Sequence, residues 1–160
     1  MFSKFGRSVS LQDKNKKTSI QSSQSDELVS LFINFASAMN KWESWCSSEH
    51  EKVKLKNGDW LEFQNKVLEG QEKIFAQFCT KKERKYGRLG SFQIPPEYDA
   101  ELEKILDVVR ESPSRAIILT QQTSGFKNQC KYVLLRKNGE WRIDNKQWKS
   151  YDGKWNKGIL

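Results

Sequence analysis

At 160 residues the chain is long enough for one domain with a sizeable core. Hydrophobic residues make up 36% and charged residues 30%, and no run approaches ~20 apolar residues, so no helix is expected to span a membrane. The net charge is +8, and its largest excess lies in residues 114–160, where ten lysines and arginines face three acids.

Residues 1–25 are rich in Ser, Lys, Gln and Asn and poor in apolar groups, which predicts a flexible basic tail ahead of a single domain over residues 26–160. No apolar stretch in MFSKFGRSVSLQDKNKK matches a secretory leader. Ser25 is placed to cap a first helix, with Asp26 and Glu27 at its positive end. Leu28, Phe32, Phe35, Met39, Trp42 and Cys46 follow at alternating steps of four and three, widened by Leu31 and Ala36 into a core-facing stripe that fades near residue 48. Asn57-Gly58-Asp59 is a turn whose Asp caps a second helix. Trp60, Phe63, Val67, Ile74 and Phe78 share one face of that helix, Gly70 is a weak point, and KKERK places cations at its end. Residues 86–96 suit a short extended segment closed by two prolines. Asp99 then suits the cap of a third helix, with Leu102, Ile105, Leu106 and Val109 inward and Ser112-Pro113-Ser114 as its stop.

The strand signal is concentrated in residues 115–146. Asn138-Gly139 tolerates the positive φ angles of a two-residue hairpin turn. Such a turn sets Arg136 against Trp141, Leu134 against Ile143 and Tyr132 against Asn145 on one face. It sets Leu135 against Arg142, Val133 against Asp144 and Lys131 against Lys146 on the other. The Trp141 face is the predicted core face. The Val133/Leu135 face is apolar in the middle and basic at its rim, as a protein-binding surface would be, unless a helix or the C-terminal segment covers it. Residues 147–160 suit a further hairpin around Asp152-Gly153 or a tail packed on the sheet. Helices first and strands last predict an α+β fold.

Signals for chemistry are sparse. The single histidine, His50, sits among charged residues, and no nucleophile elbow, phosphate loop or zinc motif occurs. Cys46, Cys79 and Cys130 are odd in number and lack CxxC spacing, which favours free thiols in a reducing cytoplasm and no metal site. Asp144 is expected to pair across the hairpin with Lys131, Lys146 or Arg142. A ligand pocket, with or without catalysis, would need inward polar groups such as Tyr132, Asp144 or Tyr98. The basic sheet with Trp141, Trp148 and Trp155 also admits a nucleic-acid-binding module, without any motif of the known kinds to support it.

The segments PPEY (95–98), ESPSRA (111–116), QCKYVL (129–134), GEWRID (139–144) and the closing GKWNKGIL carry a resemblance. They resemble the bacterial immunity proteins of polymorphic toxin systems that have a nuclear transport factor 2-like fold; the helical half matches by order of elements. The resemblance implies a cone of N-terminal helices packed on a curved antiparallel sheet. It implies a protein that binds and neutralises a cognate toxin to protect the producing cell, with no catalysis; no cofactor is expected, and the cytoplasmic location is the one expected from the cysteines. The toxin-binding residues are expected on the mixed face, at Lys131, Val133, Leu135, Arg142 and Asp144, with Trp148 beside them. The same face is available to a second copy of the chain, and its basic character calls for an acidic or largely apolar toxin surface.

Overall fold

The apolar stripe of the first helix does what its spacing dictates: Leu28, Phe32, Phe35, Ala36, Met39, Trp42 and Cys46 are all buried. The computed structural model describes the backbone of residues 11–84 and 93–160, and the side chains of these from Ser25 onward. Helix α1 spans Leu11–Lys56, starting before the expected cap at Ser25 and ending beyond residue 48. Residues 11–24 contain neither Gly nor Pro, so nothing in them stops a helix already anchored by its buried stripe. The part of the expected tail before Leu11 lies outside the described residues. The helix stops at Asn57, whose φ of 46° is left-handed, while the Gly58 N–H returns to the Val53 carbonyl at 2.9 Å.

Helix α2, Trp60–Phe78, begins as expected, with Asp59 Oδ1 accepting from the Glu62 N–H at 2.9 Å. It runs unbroken through Gly70, because that glycine answers a packing need. A Cβ there would lie 2.8 Å from Trp42 Cδ1, and Trp42 Nε1 donates to the Val67 carbonyl at 3.1 Å. The two helices therefore touch backbone to indole. KKERK lies past the end of α2, so it does not cap that helix. The capping cation comes from the sheet: Arg142 donates to the Ala76 and Gln77 carbonyls at 2.7 and 2.6 Å.

The third helix is replaced by a strand. Asp99 caps only a turn, accepting from the Glu101 N–H at its side chain and from the Leu102 and Glu103 N–H groups at its carbonyl. Residues Glu103–Ser112 then form β1, antiparallel to β2, Arg115–Gln122. The register shifts between Ile105 and Asp107, leaving Leu106 as an extra residue. Ile105 and Val108 thus face the same side three residues apart, which imitates helical spacing in the sequence. Val108 and Val109 favour the strand, and the Ser112-Pro113-Ser114 break becomes a hairpin turn. Of the extended segment expected over 86–96, residues 86–92 lie outside the described residues, and 93–96 form bends with no strand.

β3, Gln129–Lys137, and β4, Glu140–Lys149, complete the meander, and β5, Trp155–Lys157, extends it, giving the order β1-β2-β3-β4-β5. Asn138 and Gly139 have φ of 52° and 82°, as the two-residue turn requires. The predicted hairpin register holds for Lys137/Glu140 through Leu134/Ile143 and then shifts. Val133 pairs with Asn145, Tyr132 with Lys146 and Lys131 with Gln147, which corrects the expected Val133/Asp144, Tyr132/Asn145 and Lys131/Lys146 pairs. Asp144 is the bulge. It coincides with an edge contact: Cys79 bridges Ile143, and the Thr80 N–H donates to the Ile143 carbonyl at 2.9 Å. Chain leaving α2 thus covers the stretch of β4 edge that the short β5 does not reach. Both helices pack on one face of the sheet, against Ala116, Ile118, Tyr132, Leu134, Trp141 and Ile143. Bulges in β1 and β4 bend the sheet around them into an α+β cone.

Candidate functional site

Alternation along paired strands decides which side chains lie on the outer face. Val109, Ile117, Val133 and Asn145 are mutual partners across β1 to β4 and form one row. Asp107, Leu119, Lys131, Gln147 and Lys157 form the row on one side, and Arg115, Leu135 and Arg142 the row on the other. Val133 is only 2% exposed yet is not part of the cluster that joins the helices to the inner face. It is buried at the centre of the outer face. Among the described residues neither helix covers that face, and the C-terminal segment extends the sheet as β5 instead of folding over it.

The rim is cationic. Lys131 Nζ lies 4.4 Å from the Trp155 ring centroid, and Lys149 Nζ lies 5.8 Å from it. Arg115 pairs with Glu111 at 2.5 Å, and Arg142 pairs with Glu140 at 2.9 Å while capping α2. Of the six residues expected here, Lys131, Val133, Leu135 and Arg142 share the face. Arg142 is also structural, because its guanidinium is committed to the α2 carbonyls. Asp144 belongs to the bulge. It accepts from Thr80 Oγ1 at 2.7 Å and Lys82 Nζ at 3.0 Å, not from Lys131, Lys146 or Arg142. Burial alone would raise its pKa, but the hydrogen bonds from Thr80, Lys82 and Asn145 hold it below the usual aspartate value. Trp148 lies on the opposite face: it pairs with Cys130 and lines a cavity of about 880 Å³ at the mouth of the cone, with Lys146, Phe126 and Tyr151. Val109, Ile117, Leu119 and Trp155 join the outer face unannounced. The alternation within RAIILTQQ already separated Ile117 and Leu119 from Ala116, Ile118 and Thr120, whereas Val109 was hidden by the helix-like spacing of β1.

The inner face is closed and partly polar. Glu103 Oε1 accepts from Thr120 Oγ1 at 2.5 Å and from the Tyr132 hydroxyl at 3.0 Å. Burial and the neighbouring Glu103 push the Tyr132 pKa well above the usual phenol value. Lys146, which the bulge turns inward, pairs with Glu97 at 2.7 Å and sits 4.6 Å from the Tyr98 ring centroid. From α1, Asn40 donates to the Tyr98 carbonyl at 2.6 Å, and Glu43 accepts the Tyr98 N–H at 3.1 Å. Tyr98 and Tyr132 do face inward, but Asp144 is at the strand edge, so these three do not converge on one pocket. Cys46, Cys79 and Cys130 are free and buried, and burial pushes their thiols up to about 12, 12 and 11.

Two helices on one face of a curved five-stranded antiparallel meander agree with the fold named for the family that the chain matches. Residues 27–158 match the family described as NTF2 fold immunity protein, and the chain belongs to that family. It is 33% identical over 124 residues, 76% of this chain and 87% of the relative, to the immunity protein RhsIA of Dickeya dadantii (strain 3937). No solved structure matches. The chain is therefore an immunity protein of the kind found in polymorphic toxin systems, and not an enzyme. Among the described residues no helix is long and apolar enough to cross a membrane.

Proposed function

We propose that the chain neutralises its cognate toxin by laying the outer face of the sheet on it, in the cytoplasm of the producing cell. The observation that carries this is the row Val109, Ile117 and Val133, flanked by Leu119 and Leu135 and rimmed by Lys131, Lys157 and Arg115, with no described helical side chain in contact with it. A desolvated apolar centre inside a charged rim is the anatomy of a protein interface. The rim calls for an acidic toxin surface, which would speed encounter as well as fix orientation. A second copy of the chain would bring the same cations face to face, so the toxin is the better occupant. Nucleic acid fits less well, because Lys131 and Lys149 already occupy the Trp155 ring on which a base would stack. Three free thiols in a cysteine-poor chain suit the reducing cytoplasm.

The test pairs Lys131→Glu/Lys157→Glu with Leu135→Asp in cells expressing the toxin, beside thermal melts of each purified variant. Growth rescue should be lost in both while the melts of the lysine variant stay within about 0.5 kcal/mol of the parent. Full rescue by both would sink the outer-face reading. Binding to the toxin that ignores salt would remove its electrostatic part.

A further inference from the structure

The cavity of about 880 Å³ at the mouth of the cone has two aromatic side chains in its lining that stand in solvent. Phe126 is 93% exposed, and Tyr151 is fully exposed. Both loops that carry them are tied down. Gly125 and Lys127, at φ of 60° and 51°, turn the chain on either side of Phe126, and Gln121 Nε2 donates to the Lys127 carbonyl at 2.7 Å. The turn at Tyr151 is closed by the Ser150 N–H, which donates to the Lys154 carbonyl at 2.8 Å, and by the Gly153 N–H, which donates to the Ser150 carbonyl at 2.9 Å. Trp148 and Ile159, 38% and 45% exposed, line the same cavity. Apolar surface in water is unfavourable, and four such side chains around one concavity mark a surface that a partner covers. Aromatic rings on ordered turns suit that task, because they bury a large area and have little conformational freedom to lose. The cavity is also basic. Glu97, the one acid among the described lining residues, pairs with Lys146 at 2.7 Å. Lys127, Lys149 and Lys157 line it too; they are exposed and, among the described residues, make no ion pair. Lys157 belongs to the outer-face rim as well, so the cavity and the outer face meet at β5.

We propose that the mouth of the cone docks an acidic segment of the toxin, with carboxylates on Lys127, Lys149 and Lys157 and an apolar side chain of the segment against Phe126, Trp148 and Tyr151. An immunity protein has a protein for its partner, and cations without acids of their own select an acidic one. The site rests on the toxin-binding reading and carries the contact from the outer face around β5 to the other side of the sheet. Trp148 thereby meets the toxin from the cone side.

The experiment measures the affinity of the full chain for its purified toxin domain by titration calorimetry, beside a thermal melt of each variant. Phe126→Ala/Tyr151→Ala and Lys127→Glu/Lys149→Glu should each weaken binding about tenfold or more. Their melts should match the parent's, because all four side chains are exposed. Undiminished affinity in either pair overturns the proposal, whatever Leu135→Asp does. Loss in both pairs with full affinity in Leu135→Asp upholds it and sinks the outer-face reading alone. A benzophenone at the cavity rim, Phe126→p-benzoylphenylalanine, should cross-link to a toxin segment that contains Asp or Glu, and a segment with neither overturns the proposal. So does saturable binding of single-stranded oligothymidylate that Phe126→Ala/Tyr151→Ala abolishes, which would assign the cavity to nucleic acid.

Discussion

The two faces of one sheet differ more than any two elements of the molecule. On the inner face Ile118, Leu134 and Ile143 are fully buried under two helices, and the polar groups among them are tied to one another: Glu103 to Thr120 and Tyr132, Lys146 to Glu97. The neighbouring residues of the same strands form the outer face, where Val133 is buried outside the cluster that joins the helices to the sheet. Inner-face residues are therefore expected to govern whether the chain folds, and outer-face residues whether it protects.

The largest expected effect lies inside. Phe32 is 1% exposed and packs 4.7 Å, centroid to centroid, from Tyr132. Phe32→Ala should cost about 3–5 kcal/mol by denaturant melt, and a loss below about 1 kcal/mol would mean that the helices are not the lid of this sheet. Next comes Lys146, the cation that the β4 bulge turns inward. Lys146→Ala removes a buried cation that pairs with Glu97 and lies over the Tyr98 and Tyr132 rings, and should cost about 3 kcal/mol; an unchanged melt would place Lys146 in solvent and the bulge elsewhere. Arg142 and Lys131 sharpen the comparison, because both were expected to serve the toxin. Arg142→Ala removes the cation from the α2 terminus and should cost about 1 kcal/mol, whereas Lys131→Ala should leave the melt unchanged and weaken toxin binding. Equal effects on stability would erase the distinction between them.

The smallest effect is acid dependence at the bulge. The folded pKa of Asp144 is depressed, so its contribution is present above the unfolded value near 3.8 and is lost as pH falls through that value and the folded one. Asp144→Asn should melt earlier than the parent at neutral pH, by less than about 1 kcal/mol for so open a pair, and the two curves should converge below about pH 4. A gap that persisted there would point to shape, not charge, as what Asp144 supplies.

Local signals were legible from the residues alone. The stripe from Leu28 to Cys46, the Asp59 cap and the Asn138-Gly139 turn each act within a few residues of themselves, and each is where periodicity and turn chemistry place it. The α+β class and the apolar outer face with its basic rim follow from them and from the strand alternation. Long-range decisions were not legible. Whether residues 103–112 coil or extend depended on β2 being present to pair with them, and the Leu106 bulge gave that strand a helical spacing. The Asp144 bulge depended on Cys79 and Thr80 reaching Ile143 from another part of the chain. That single extra residue turned Lys146 inward and left Trp148 on the cone side of the sheet. Arg142 became a helix cap only because α2 ends beside β4. Sequence pattern thus determined the faces near the turn. Tertiary contacts decided which residues beyond the bulge lie on each face, because a one-residue shift in a period-two structure exchanges them.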